Sequence, residues 1–280
     1  MELDGHFLPT AGDVGLLPMV TWFFMVVAFY AFVGNFIFAL ASRTSVAPEH
    51  RTSRIFTAII AAVAGISYYL IQDYYRHMLA DMAELNTPVE RLALTRLTYN
   101  AIGQLRYMDW AITTPLLLLK TVTMLKIQPH EAKKSIAALL LADFFMVLTG
   151  YIGEQQLDPA TDDILVLPKL IWGGISTLGY LVIPYVLWQL GKRFKERALP
   201  EEWRAFRLMA LSTVTTWGVY PIGYILTTFE DFNLNWIHIS FSIADIINKV
   251  GVGVIAYLAA KKVVERRVPE EATMPYHQLG

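Results

Sequence analysis

The 280 residues include no cysteine, so disulfides and thiolate metal sites are excluded. Charge is scarce too: Asp, Glu, Lys and Arg make up 17% of the chain, against about 25% in an ordinary soluble domain. The net charge of −1 offers nothing to a phosphate backbone, so no nucleic-acid partner is expected. Met1 to Pro18 carry Glu2, Asp4 and Asp13 but no Lys or Arg. A secretory signal needs a basic start, so no cleavage is expected there. No internal repeat or low-complexity tract is present, and a single domain over 1–280 is the simplest organisation.

What the chain has is apolar length. Hydrophobic residues make up 55% of it and the mean hydropathy is +0.43. The excess falls in blocks able to cross a bilayer as helices, which takes about 20 residues each. Seven such spans can be drawn, roughly 18–42, 53–75, 98–125, 134–153, 166–191, 205–229 and 234–261. The third is the weakest, because Arg106, Asp109 and Lys120 interrupt it. Helix breakers fall between spans, at Ala47-Pro48-Glu49, Gln128-Pro129-His130, Asp158-Pro159 and Leu199-Pro200-Glu201-Glu202. The expected fold class is an all-α membrane protein, a seven-transmembrane-helix bundle.

Basic residues set the expected orientation. Arg43, Arg51 and Arg54 follow the first span, Lys126, Lys133 and Lys134 the third, and Lys192, Arg193, Lys195, Arg197, Arg204 and Arg207 the fifth. Lys261, Lys262, Arg266 and Arg267 follow the seventh. All four groups lie on one side. The opposite connections are acidic, with Glu154, Asp158, Asp162, Asp163, Glu230 and Asp231. The N-terminus is therefore expected outside and the C-terminus inside, in a multi-pass plasma-membrane protein.

Ionisable groups within the hydrocarbon cost about 3 kcal/mol each on insertion scales and ask for a reason. Asp245 and Lys249 are four apart and share a face of the seventh span, with Asp245 roughly 6 Å nearer the outside. One use for such a lysine is a Schiff base with an aldehyde cofactor; the competing reading is an ordinary structural ion pair. On the third span Arg106, Asp109 and Thr113 share a face, and Lys120 continues it about 16 Å further inward. Lys120 and Arg106 can also be read as snorkelling to the two interfaces.

These residues resemble a known family. Arg106-Tyr107-Met108-Asp109-Trp110-Ala111-Ile112-Thr113-Thr114-Pro115-Leu116-Leu117 looks like the third helix of microbial rhodopsins, and Ala244-Asp245-Ile246-Ile247-Asn248-Lys249-Val250-Gly251 like their retinal-binding seventh helix. Trp217-Gly218-Val219-Tyr220-Pro221 resembles the sixth-helix aromatic cage. Asn248 before the lysine is closest to proteorhodopsin and xanthorhodopsin types. The resemblance implies all-trans retinal as cofactor on Lys249, Asp109 as primary counterion and proton acceptor, Asp245 as second counterion, and Arg106 as the arginine that swings on the extracellular side. It implies that Trp110, Thr114, Leu117, Met146, Gly150, Ser176, Trp217, Tyr220 and Pro221 line the retinal, with Asp143 bonded to Thr114. In isolation plain helix packing is the better reading of each aromatic, and their coincidence with the third- and seventh-helix motifs overturns it.

Two departures stand out. Lys120 occupies the cytoplasmic donor place usually held by Asp or Glu, as in a minority of proton-pumping members. The second span, at Gly65-Ile66-Ser67-Tyr68-Tyr69-Leu70, lacks the histidine that many bacterial pumps set against the counterion. His77 and His238 read as interfacial residues. Gly173, in Trp172-Gly173-Gly174-Ile175-Ser176, stands where a xanthorhodopsin-like carotenoid antenna can rest; the alternative is a glycine pair that lets helices approach.

The implied function is not enzymatic. It is a light-driven outward proton pump, with Glu230 a candidate outer release group and Lys120 reprotonating from the cytoplasm. The set Asp109, Thr113 and Lys120 argues against sodium, and retention of Asp109 against chloride. The alternative is a photosensory rhodopsin with a slow photocycle signalling to a partner, although Val263 to Gly280 leave no room for an output domain. The other expected partners are the bilayer, protons and further copies of the chain, as a trimer or pentamer.

Overall fold

The computed structural model describes residues 7–128 and 130–273. Pro129, Glu2 and Asp4 lie outside the described residues. After a single turn at Ala11–Val14, the first five long helices are Leu16–Ala41, Arg51–Glu84, Pro88–Thr123, Lys133–Glu154 and Val166–Phe194. The sixth consists of Pro200–Thr215 and Val219–Leu226 joined by a 3₁₀ turn, Thr216–Gly218. The seventh consists of Leu234–Asp245 and Val252–Thr273 joined by a π-helical stretch, Ile246–Gly251. Five of these helices are long and apolar enough to cross a membrane by themselves. The third is burdened by its three ionised side chains, and the sixth is divided into pieces of 16 and 8 residues.

Local chemistry explains where the helices exceed the apolar spans. The third begins at Pro88 rather than near 98, because Thr87 and Glu90 form a reciprocal capping box and Pro88 takes the first helical position. The second continues past residue 75 to Glu84, carrying polar groups such as the Asp73–Arg76 pair (3.0 Å) beyond the apolar segment. At about 1.5 Å per residue its 34 residues outrun a hydrocarbon core of about 30 Å. Pro221 accounts for the break in the sixth helix: it has no N–H to offer the carbonyl of Trp217, and its ring crowds that carbonyl.

Consecutive helices pack side by side from first to fifth, and the seventh closes the ring against the first and the sixth. The fourth and fifth approach closely at Gly179, where a Cβ would stand 2.8 Å from the Ala142 carbonyl. The polarity is that of a bundle in lipid. Ile66, Leu141, Leu178 and Ile222 are exposed on the outer surface, while Arg106, Asp109, Lys120, Asp143, Asp245 and Lys249 are buried inside. An apolar core of Leu117, Leu187, Met209 and Trp217 fills the half towards the C-terminal ends of the third and fifth helices. Met25, Ile71, Tyr75 and Ile102 fill part of the other half. The charged groups lie between and around these clusters.

Candidate functional site

Lys249 sits in the π-helical stretch of the seventh helix, 2% exposed, one turn after Asp245. Single-turn π segments of this kind occur mostly at functional sites. Its Nζ donates to Asp109 Oδ2 from the third helix and lies 3.4 Å from Asp245 Oδ1. One amine thus faces two carboxylates. They are held differently. Asp245 accepts hydrogen bonds from Tyr68 (2.9 Å) and Tyr220 (2.6 Å), and Arg106 Nη1 stands 3.7 Å from it while donating to the Tyr68 hydroxyl at 3.0 Å. Asp109 Oδ1 has no partner among the described residues. The Lys249 and Arg106 cations balance the two carboxylates in a volume from which solvent is excluded, as buried charges require.

The neighbouring polar groups fix the surrounding side chains. Thr113 donates to the Asp109 carbonyl at 3.0 Å. Thr114 Oγ1 lies 2.9 Å from Asp143 Oδ2 and 2.7 Å from the Trp110 carbonyl, close to the carbonyls freed by Pro115. Ser176 donates to the Met146 carbonyl at 2.7 Å. Asn248 accepts from Ser212 (2.7 Å) and donates to the Tyr220 hydroxyl (3.3 Å), which links the lysine's own turn to both sides of the sixth-helix break.

A cavity of about 310 Å³ extends from Lys249 between the helices, within the range of roughly 300–1,000 Å³ typical of small-molecule sites. Trp110, Thr114, Leu117, Met146, Gly150, Ser176, Trp217, Tyr220 and Pro221 all line it. Trp110 and Tyr220 stand 4.8 Å apart, ring to ring, on one side. Asp143 is buried one bond behind Thr114, outside the cavity lining. A mostly apolar slot that ends on a buried amine fits a long apolar aldehyde, and the free oxygen of Asp109 fits an N–H presented there.

Lys120 is fully buried on the same face of the third helix, towards its C-terminal end, and its Nζ has no hydrogen-bond partner among the described residues. It faces Arg54, another buried cation. Arg54 is itself satisfied by Ser42 Oγ (2.5 Å), the Phe38 carbonyl (3.2 Å) and the Phe38 and Tyr257 rings. Neither cation snorkels.

Other positions differ from what spacing suggests. His238, expected at an interface, is 1% exposed, whereas His77 is exposed. Glu154, expected in an acidic loop, forms a buried ion pair with Lys169 at 2.6 Å. Glu230 is exposed and its carbonyl accepts from Arg96. Tyr68, on the second span that lacks a histidine, bridges Asp245 and Arg106. Its seven-residue spacing from Tyr75, also buried, was the available signal. Gly173 has a local reason: a Cβ there would stand 2.6 Å from Tyr224 Cε1, and Tyr224 is pinned over it by a 2.6 Å bond to the Lys169 carbonyl.

Comparison with known proteins places the chain in a family. Residues 18–263 match the model of the family described as bacteriorhodopsin-like protein. The green-light absorbing proteorhodopsin of a gamma-proteobacterium is 26% identical over 246 residues, 86% of this chain and 85% of that protein. The crystal structure of Exiguobacterium sibiricum rhodopsin superposes with a TM-score of 0.73 at 27% identity, covering 90% of this chain and 99% of that one. Xanthorhodopsin, described as a light-driven ion pump with dual chromophore, shares the fold with a TM-score of 0.72 at 24% identity, over 93% and 98% of the two chains. The chain belongs to the bacteriorhodopsin-like family and is a multi-pass membrane protein.

Proposed function

We propose that the protein is a light-driven outward proton pump carrying all-trans retinal on Lys249. The observation that supports it best is the single buried amine set against two carboxylates, one fully engaged and one with a free oxygen. Retinal joined to the Lys249 nitrogen as a protonated Schiff base would supply visible absorption and a light-driven isomerisation that re-aims the N–H. The cavity residues from Trp110 to Pro221 would pack along it and hold its ends.

Asp109 takes the proton, since its unpaired oxygen is the free acceptor beside Lys249. Asp245 is already engaged, since it accepts from two tyrosine hydroxyls and lies 3.7 Å from Arg106. Protonation of Asp109 removes one of the two negative charges that hold Arg106 inward and frees the guanidinium to move towards the N-terminal face. Lys120, on the opposite side, returns a proton to the Lys249 nitrogen from the C-terminal face. The excess of Lys and Arg on that face assigns it to the cytoplasm, so the net movement is outward. Assembly as a trimer or pentamer belongs to the same reading. A carotenoid beside Gly173 would have to share its space with the Tyr224 ring, so retinal alone is taken as the chromophore.

Illumination of cells expressing the protein with retinal, in unbuffered medium, tests this. Acidification abolished by a protonophore is expected. No pH change, together with a photocycle lasting seconds, would replace the pump by a photosensor.

A further inference from the structure

We propose that His238 is the proton relay between Arg106 and the outer surface, an inference that rests on the pump reading and deepens it. His238 lies two turns before Asp245 on the seventh helix, about 10 Å nearer the N-terminal face. It is 1% exposed, and neither ring nitrogen has a hydrogen-bond partner among the described residues. Arg106 is in the same condition: one nitrogen is engaged by Tyr68 and Asp245, while Nε and Nη2 have no partner. Both side chains line the same cavity. Leaving a buried polar atom unsatisfied costs about 1–3 kcal/mol, so four such atoms around one cavity point to a use.

The surroundings orient the ring without occupying its nitrogens. Tyr75 meets it edge-on at 5.8 Å and Tyr99 lies tilted against it at 5.2 Å. The Tyr75 hydroxyl is spent on Asn235, one turn nearer the surface on the histidine's own helix. Tyr75 from the second helix and Tyr99 from the third pack against it, and the other titratable or charged groups lining the cavity are Arg106 and Tyr107 from the third helix, Glu154 from the fourth, Tyr180 from the fifth, Tyr220 and Tyr224 from the sixth, and Asp245 and Lys249 from the seventh. Glu154 is committed to Lys169. That leaves the imidazole as the buried group there whose two ring nitrogens let it accept a proton on one side and give one up on the other. In the step, the proton that Asp109 has taken passes by way of the Arg106 side to one ring nitrogen, an N–H bond forming as the Asp109 O–H bond breaks, while the other ring nitrogen gives up its proton to water at the N-terminal face. The ring ends neutral, with no net change in protons or electrons.

The test uses the full-length protein with retinal in nanodiscs, a pH dye in the medium, and flash excitation of the parent, His238→Gln and His238→Asn. The expected result is an unchanged dark band, retained protonation of Asp109 in the infrared, and release to the medium delayed about a hundredfold, the scale of a lost acid–base group. A His238→Gly variant should recover fast release when imidazole is added, which a purely packing role would not produce. In the parent protein, ¹⁵N-histidine labelling should shift an imidazole band in the light-minus-dark infrared spectrum, independently of any variant's folding. Release on the parent's timescale in both substitutions, or no isotope-sensitive imidazole band, would overturn the relay while leaving pumping intact. A parent protein that moves no protons in light would overturn the pump reading instead.

Discussion

Replacing Lys120 by methionine should make the protein more stable and its photocycle slower. The two side chains are alike in length and shape, and Lys120 is fully buried, so the exchange leaves no cavity. What it removes is an amine without a partner among the described residues, facing the like charge of Arg54. An unsatisfied buried polar group costs about 1–3 kcal/mol, and a lysine at membrane depth about 3 kcal/mol on insertion scales. Relief of about 2 kcal/mol is therefore expected, which at roughly 2–4 °C per kcal/mol raises the melting temperature by about 4–8 °C. Heating the retinal-loaded protein while following the visible band measures this. Flash photolysis of the same sample should show recovery slowed by about a hundredfold, the usual cost of losing an acid–base group. A variant that melts at or below the parent temperature would mean that Lys120 is held by interactions the buried geometry does not contain. Unchanged recovery would remove it from the proton path.

Asp109→Asn removes the negative charge beside Lys249, and should red-shift the visible band and abolish light-driven acidification; acidification that survives would reassign the acceptor. Gly173→Ala brings a methyl to 2.6 Å from the Tyr224 ring and should cost about 1–3 kcal/mol by overpacking. Combining it with Tyr224→Leu should recover most of that loss, read as melting temperature. Outside the apolar spans, burial pushes the Glu202 carboxyl up, but contacts with His50, the Leu199 N–H and Lys126 outweigh it and hold it below the usual glutamate range. Its stabilising contribution is thus present at neutral pH and lost as pH falls below about 4. Glu202→Gln should lower the melting temperature at pH 7, and the difference from the parent should shrink on acidification.

The features legible in the sequence are those that bilayer physics makes expensive. Lys249, Asp245 and Asp109 stand out because charge in an apolar run is costly, and helical spacing puts each on a definite face. Groups at the ends of spans were less legible. Arg54 reads as a loop cation but is buried, because the Phe38 carbonyl of the first helix, the Gly253 carbonyl of the seventh and the Phe38 and Tyr257 rings receive it. Glu154 and Lys169 read as separate interfacial charges, since a pair spanning two helices has no periodic signature. His238 reads as interfacial because it stands only four residues into its apolar span, yet Tyr75 and Tyr99 at the ends of the second and third spans pack over it. Capping chemistry at Thr87 and Glu90, rather than hydropathy, decides where the third helix starts.

The 3₁₀ turn at Thr216–Gly218 makes the sixth helix two rods with a fulcrum at Trp217, a wall of the chromophore cavity. The longer rod, Pro200–Thr215, is about 24 Å of lever. A tilt of about 5° at the fulcrum carries its far end roughly 2 Å, given that length. That end holds Glu202, clasped to His50 and Lys126 at 2.7 and 3.1 Å. A nudge on one indole would thus be magnified into unclasping of the end of the bundle towards which Lys120 lies.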